Sequence, residues 1–285
     1  MRRHHAAWLV LAILIAGLAT RPAAGRELKF GFTPFLSEAE MQGEYEPLMT
    51  YLSDSIGQKV VLYVAKDYGD LRTQMEAGSV DIGSFSPFAY VDAARGGKIR
   101  IIGQSLIDGA STYRGAIVVR KDSGLNSLAD LKGKRFAFVD PKSTSGYVYP
   151  RAMLIEKGMA PDTYFKETIF AGSHDKVIAA VLDGRADAGA IYESALGIAK
   201  AEGVPTENLV TIASTEPIPH DAITVRIGLE ERLTKKIQTA LVELDKSEAG
   251  RRLIANSKPK KLTGYVIAKD NQFDVVRRTA KIAGM

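Results

Sequence analysis

From Leu28 onward, short runs of β-branched and aromatic residues alternate with stretches whose apolar residues recur at helical spacing, a pattern that admits little besides an α/β architecture. Leu28 to Phe32 reads as a strand. Met41, Tyr45, Leu48, Met49, Leu52 and Ile56 then fall on one helical face, which Gly57 ends. Strands follow at 60–65 and 81–86 around a helix at 68–77, and Pro87 opens another helix in its first turn, where the missing N–H is not needed. Strands at 99–106 and 115–120 close this round, and 125–133 reads as a short polar helix. At Phe136 the rhythm restarts with strand 136–139, helix 146–157, strand 167–171, helix 174–184, strand 187–192, helix 193–203 and strand 209–213. No Pro/Gly/Ser-rich linker separates the two rounds, so they imply two lobes of one body, the chain crossing near 115–120 and 222–227. Lobe one then takes 26–117 and the return at 222–285, and lobe two takes 118–221. Residues 234–285 read as helices with solvated basic faces at Lys235, Lys236, Arg251 and Arg252.

Residues 1–25 stand apart. Arg2 and Arg3 precede an uncharged apolar run from Ala6 to Ala19, followed by the small residues Ala23, Ala24 and Gly25. A membrane span needs about 20 apolar residues, so this shorter run reads as a signal peptide cleaved near residue 25, which places the mature chain in an exported space. The sequence contains no cysteine, which excludes a lipid-modified cysteine and disulfides. The formal net charge of +5 falls to +2 once Arg2, Arg3 and Arg21 are removed with the leader, so nucleic acid is not an expected partner. Of four histidines only His174 and His220 lie beyond the leader, too few for a His/Cys metal site, and neither a metal nor a cofactor is expected.

In an open α/β sheet, ligands sit beyond the carboxyl ends of the strands. The stretch Asp140-Pro141-Lys142-Ser143-Thr144-Ser145-Gly146 is such a place: a strand turns through hydroxyl residues into a helix, whose unpaired N–H groups favour an oxyanion. Tyr68 follows strand 60–65, Tyr113 precedes the first crossing, His174 follows 167–171, Glu193 follows 187–192, and Asp221 precedes the second crossing. Each has a plain structural explanation as well. Ser143 or Thr144 serves as a helix cap, the tyrosines as packing residues, His174 bonds within its own turn, Glu193 is a first-turn acid, and Asp221 is a capping or paired acid. Their shared rim favours a site. A Ser143 or Ser145, His174 and Asp221 hydrolase is the rival, but no Gly-x-Ser-x-Gly elbow occurs.

The order Lys66-Asp67-Tyr68, Val80-Asp81-Ile82, Asp140 through Gly146 with Pro150, Gly172-Ser173-His174, Asp187 to Glu193, and Ile218-Pro219-His220-Asp221 resembles the periplasmic phosphonate- and phosphite-binding proteins of ABC importers. The resemblance covers about residues 28–250. It implies a two-lobed type II periplasmic binding protein, each lobe a mixed sheet flanked by helices, with the ligand in the cleft between them. Tyr68, Tyr113, Ser143, Thr144, His174, Glu193 and Asp221 match pocket residues of the aminoalkylphosphonate-binding branch, and Ser145 of the same loop joins them as a candidate ligand-binding residue. The resemblance implies no enzyme activity, a ligand such as 2-aminoethylphosphonate, with phosphite or methylphosphonate as the alternative, and a monomer that serves a membrane permease. An exported sensor feeding a signalling partner is a further alternative. Glu193 and Asp221 together would suit a ligand that carries an ammonium group.

Overall fold

The computed structural model describes residues 26–257 and 261–285; the expected signal peptide lies outside the described residues. The first round of alternation supplies β1 (Leu28–Phe32), α1 (Glu38–Ile56), β2 (Val60–Val64), α2 (Asp70–Glu76), β3 (Ile82–Phe85), α3 (Pro87–Ala94) and β4 (Ile99–Ile107). α1 begins where the sequence dictates: Ser37 and Glu40 form a capping box, and Gly57 ends the helix in the left-handed conformation at φ 71°. β5 (Thr112–Tyr113) and β6 (Gly115–Arg120) lead into the second round. There β7 (Arg135–Phe138), α4 (Tyr149–Glu156), α5 (Pro161–Tyr164), β8 (Glu167–Phe170), α6 (His174–Leu182), β9 (Ala188–Tyr192), α7 (Ala195–Ala201) and β10 (Leu209–Ser214) follow. The chain then returns through β11 (Ile218–Pro219), β12 (Ala222–Arg226), α8 (Glu231–Val242), α9 (Glu248–Asn256), β13 (Leu262–Val266) and α10 (Asp274–Ile282).

Among the described residues these strands form two mixed sheets, ordered β13-β4-β12-β3-β1-β2 and β10-β6-β9-β7-β8. β2, β1 and β3 run parallel, whereas β12, β4 and β13 pair antiparallel. In the second sheet β9, β7 and β8 are parallel and β6 and β10 antiparallel. The two crossing segments pair with each other, Tyr113 opposite Ile218 and Thr112 opposite Pro219. By sheet membership we assign 26–111 and 220–285 to lobe one and 115–217 to lobe two, with the β5/β11 ribbon as the hinge between them. The larger apolar core runs from Phe30, Phe32 and Phe85 in one lobe to Val118, Val139 and Ile191 in the other. α10 lies against both α3 and α4, and Arg151 Nε donates to Ala283 O at 2.9 Å.

Two sequence expectations are corrected. The polar helix at 125–133 is a single 3-10 turn, Leu128–Leu131, because the reciprocal cap of Ser127 and Asp130 satisfies the first N–H groups without a longer helix. The tail is not all helical: β13 interrupts it, burying Leu262, Gly264 and Tyr265 beside β4.

Asp81, fully buried at the entry to β3, ties lobe one together. Its carboxylate accepts from Lys29 N at 3.1 Å and Arg226 Nε at 2.9 Å and pairs with Arg26. Asp81→Ala strands these donors and is expected to lower unfolding free energy by about 3–5 kcal/mol, read by urea denaturation. A loss below about 1 kcal/mol would show that the guanidinium groups reach water without cost.

Candidate functional site

The first residues of three helices line one cavity between the sheets. β3 ends at Phe85 and Ser86 holds the N-cap position of α3 without a side-chain capping bond, while Pro87 has no N–H to satisfy. β7 leads to Ser143, whose Oγ accepts from Gly146 N at 3.1 Å and starts a wide π-turn, Thr144–Val148, that continues as α4. β8 leads through Ser173 to α6, which His174 opens. Thr33, just past β1, and Tyr68, Tyr113, Tyr192, Ser194, His220 and Asp221 complete the polar wall, with Phe35 and Ile107 as apolar neighbours. The cavity measures about 60 Å³. No Lys or Arg of the described residues lines it, and Asp221 is its one carboxylate.

Both lobes contribute and touch each other at its wall. Phe88 N, in the first turn of α3, donates to Thr144 Oγ1 of the other lobe at 2.8 Å, and His174 N donates to Phe35 O at 3.4 Å. His174 is buried, and its Nδ1 accepts from Tyr192 N at 3.3 Å. That bond places the proton of the neutral ring on Nε2. It also takes the nitrogen by which a carboxylate would orient the ring of a Ser-His-Asp triad. Tyr113 stacks on His220 with ring centroids 4.9 Å apart. Burial above all, then the Asp221 charge, pushes the Tyr113 phenol well above its ordinary value. Burial likewise raises Tyr68 and Tyr192, reinforced by charges that include Asp140 for Tyr68 and Glu202 for Tyr192. All three phenols are therefore proton donors at any physiological pH. Ser86 Oγ and Tyr192 Oη are buried at the cavity wall and have no hydrogen-bond partner among the described residues.

Seven of the eight residues singled out from sequence, all except Glu193, line this cavity. Glu193 is exposed, and its Oε1 accepts from Arg114 N at 3.0 Å. It belongs to the wall of an outer groove of about 760 Å³ shared with Asp108, Lys261 and Thr263. The physical reason is strand alternation. Tyr192 ends β9 facing the cavity, so the next residue turns away. Thr33, Ser86, Tyr192, Ser194 and His220 are polar wall residues the sequence reading missed. The rule that found Ser143 applies equally to Thr33 and Ser86, each a hydroxyl residue just past a parallel strand.

The family described as ABC transporter, phosphonate, periplasmic substrate-binding protein matches residues 30–273. The chain is 33% identical over 223 residues to the phosphate-import protein PhnD of Mycolicibacterium smegmatis, covering 74% of this chain and 69% of the relative. It is 30% identical over 221 residues to the phosphonates-binding periplasmic protein of Escherichia coli, covering 74% of this chain and 64% of that one. In three dimensions it resembles a binding-protein component of an ABC phosphonate transporter from Pseudomonas aeruginosa, with a TM-score of 0.84 and 22% identity over 90% of this chain and 86% of the other. That likeness establishes the type II periplasmic binding fold. With the family matched along nearly the whole described length, the chain belongs to the periplasmic substrate-binding proteins of phosphonate ABC transporters.

Proposed function

We propose that this protein captures a small tetrahedral phosphorus oxyanion bearing a P–OH, such as phosphate, phosphite or methylphosphonate, between its lobes and presents it to a permease. The observation that carries this reading is the wall of the cavity. Helix N-termini at Ser86, Ser143 and His174 and a set of hydroxyl donors surround a space that no Lys or Arg of the described residues lines. Oriented N–H and O–H dipoles suit an anion that must enter and leave, since they stabilise it without a fixed countercharge. Asp221 accepts, and so calls for a proton on the ligand.

A cavity of about 60 Å³ suits a few non-hydrogen atoms and lies far below the roughly 300–1,000 Å³ of pockets for drug-sized ligands. The mycobacterial relative bears the name phosphate-import protein, and the E. coli relative is named for phosphonates. Size and the outward turn of Glu193 favour the small ligands over 2-aminoethylphosphonate. The latter is a second reading because Ile107 and Ser194 wall both the cavity and the outer groove that holds Glu193.

Ser86→Ala and Tyr192→Phe test the reading. Among the described residues neither hydroxyl has a partner to lose, so melting temperature is expected to stay level or rise. Each is also a donor to the bound oxyanion, and its removal is expected to cost about 1.5–3 kcal/mol of binding, roughly 10- to 150-fold in Kd by calorimetry. Wild-type protein that ignores phosphate, phosphite and methylphosphonate, or variants that bind them unchanged, would overturn it.

A further inference from the structure

We propose that Lys142 and Asp92 form a clasp across the mouth of the cleft that sets ligand affinity without touching the ligand, an inference that rests on the binding function proposed above. Lys142 Nζ, on the lobe-two loop after β7, lies 2.9 Å from Asp92 Oδ2 on α3 of lobe one. The pair is only partly exposed, at 35% and 19%. The two sheets place it away from the hinge. The chain crosses from β4 through the β5/β11 ribbon to β6, whereas β7 neighbours the opposite edge strand β8. Lys142 also lies beside Gly69, which follows β2, the edge strand of the first sheet farthest from β4: a Cβ on Gly69 would sit 3.4 Å from Lys142 Nζ.

One helical turn before Asp92 on α3, Phe88 N donates to Thr144 Oγ1. Residues 142 and 144 thus engage one face of α3 at two points four residues apart. That double contact fixes the helix start at Ser86 against the helix start at Ser143, the two tips that line the cavity from opposite lobes.

The clasp is built to open. Asp92 also lies 3.4 Å from Arg72 Nη1 and 4.0 Å from Arg95 Nη1, both in its own lobe, so its carboxylate stays compensated when Lys142 leaves. The converse does not hold. Lys142 sits where Asp140 of its own lobe meets Asp67 of the other. Burial foremost, with the Asp67 charge adding and Lys142 opposing, raises the Asp140 carboxyl above its ordinary value. Without Lys142, the charge that opposes Asp67 at Asp140 is gone, and these like charges push the lobes apart.

The test is calorimetric and stopped-flow titration of wild type, Lys142→Ala, Asp92→Asn, the double variant and Lys142→Arg with phosphate, phosphite and methylphosphonate in turn. Each charge-removing single variant is expected to weaken binding about 5- to 50-fold, within the range of ordinary coupling between sites, by the same factor for every ligand and mainly through faster release. The double variant is expected to lose no more than Lys142→Ala, and Lys142→Arg to keep affinity. Unchanged affinity of Lys142→Ala, a loss that depends on the ligand, or additive losses in the double variant would overturn the clasp while leaving the binding function intact. Should wild type bind none of the three, the function reading fails instead. X-ray scattering then decides the clasp: a larger radius of gyration for Lys142→Ala than for wild type supports it, and equal radii overturn it.

Discussion

Replacing Gly146 by alanine is expected to weaken oxyanion capture severely and to destabilise lobe two at once. A Cβ at this position would lie 2.3 Å from Val139 Cγ2, 2.6 Å from Val139 Cβ and 2.8 Å from Ser143 Oγ. Val139 is β-branched and fully buried, so it has no alternative rotamer to retreat to. The backbone of 143–146 must move instead. Overpacking of this kind costs about 1–3 kcal/mol of stability. Two bonds place the loop at present: Gly146 N donates to Ser143 Oγ, and Val139 N donates to Gly146 O at 3.1 Å. Displacing it misaims the hydroxyls of Ser143, Thr144 and Ser145 together. Losing two such bonds to a charged ligand, each worth about 1.5 kcal/mol or more, weakens binding by about 100-fold or more. Gly197→Ala is the control, since a Cβ there meets nothing within 4 Å and α7 gains helix propensity. A Gly146→Ala protein with wild-type melting and affinity would mean that this loop does not present the ligand.

The same loop shows what the sequence can and cannot disclose. Ser143, Thr144 and Ser145 were legible because a strand, a hydroxyl run and a helix start lie within a dozen consecutive residues, and local order dictates local geometry. The βα alternation was legible for the same reason: periods of 2 and 3.6 are properties of neighbouring residues. β13 was not, because Gly264 breaks its short run and its pairing with β4 depends on residues about 160 positions away. Glu193 failed at a finer scale. Its place at the end of a strand was right, but which side of the strand it faces depends on the register of β9 with β6, and Tyr192 took the inward side. Tyr192 entered only as the end of strand 187–192, because an aromatic at a strand end looks the same whether or not its hydroxyl has a partner. Lys142 lay within the stretch that drew attention, yet its role in the proposed clasp is set by Asp92, fifty residues earlier on another lobe.

Asp221→Asn is expected to exchange selectivity for tolerance. The cavity answers negative charge with hydroxyl and N–H donors, and a carboxylate turned toward the ligand is best met by a ligand that brings a proton to it. Phosphate and its analogues near neutral pH carry a P–OH; sulfate does not. With aspartate, sulfate must set an oxygen against a carboxylate in a space of about 60 Å³ that leaves little room for water to intervene. With asparagine the repulsion vanishes, and the side-chain amide donates to the sulfate oxygen instead. Phosphate, by contrast, loses a charge-assisted bond worth about 1.5–3 kcal/mol, or roughly 10- to 150-fold in Kd. The two changes run in opposite directions, so the ratio of phosphate to sulfate affinity is expected to fall by more than the phosphate loss alone. The stacked pair Tyr113 and His220 sits beside Asp221, so circular dichroism and melting of the variant must first match wild type. Given that, competition calorimetry decides. Sulfate binding gained at the expense of phosphate makes Asp221 the reader of the ligand proton. A variant that rejects sulfate as sharply as wild type would move the discrimination to the hydroxyl donors and leave Asp221 a residue of the hinge.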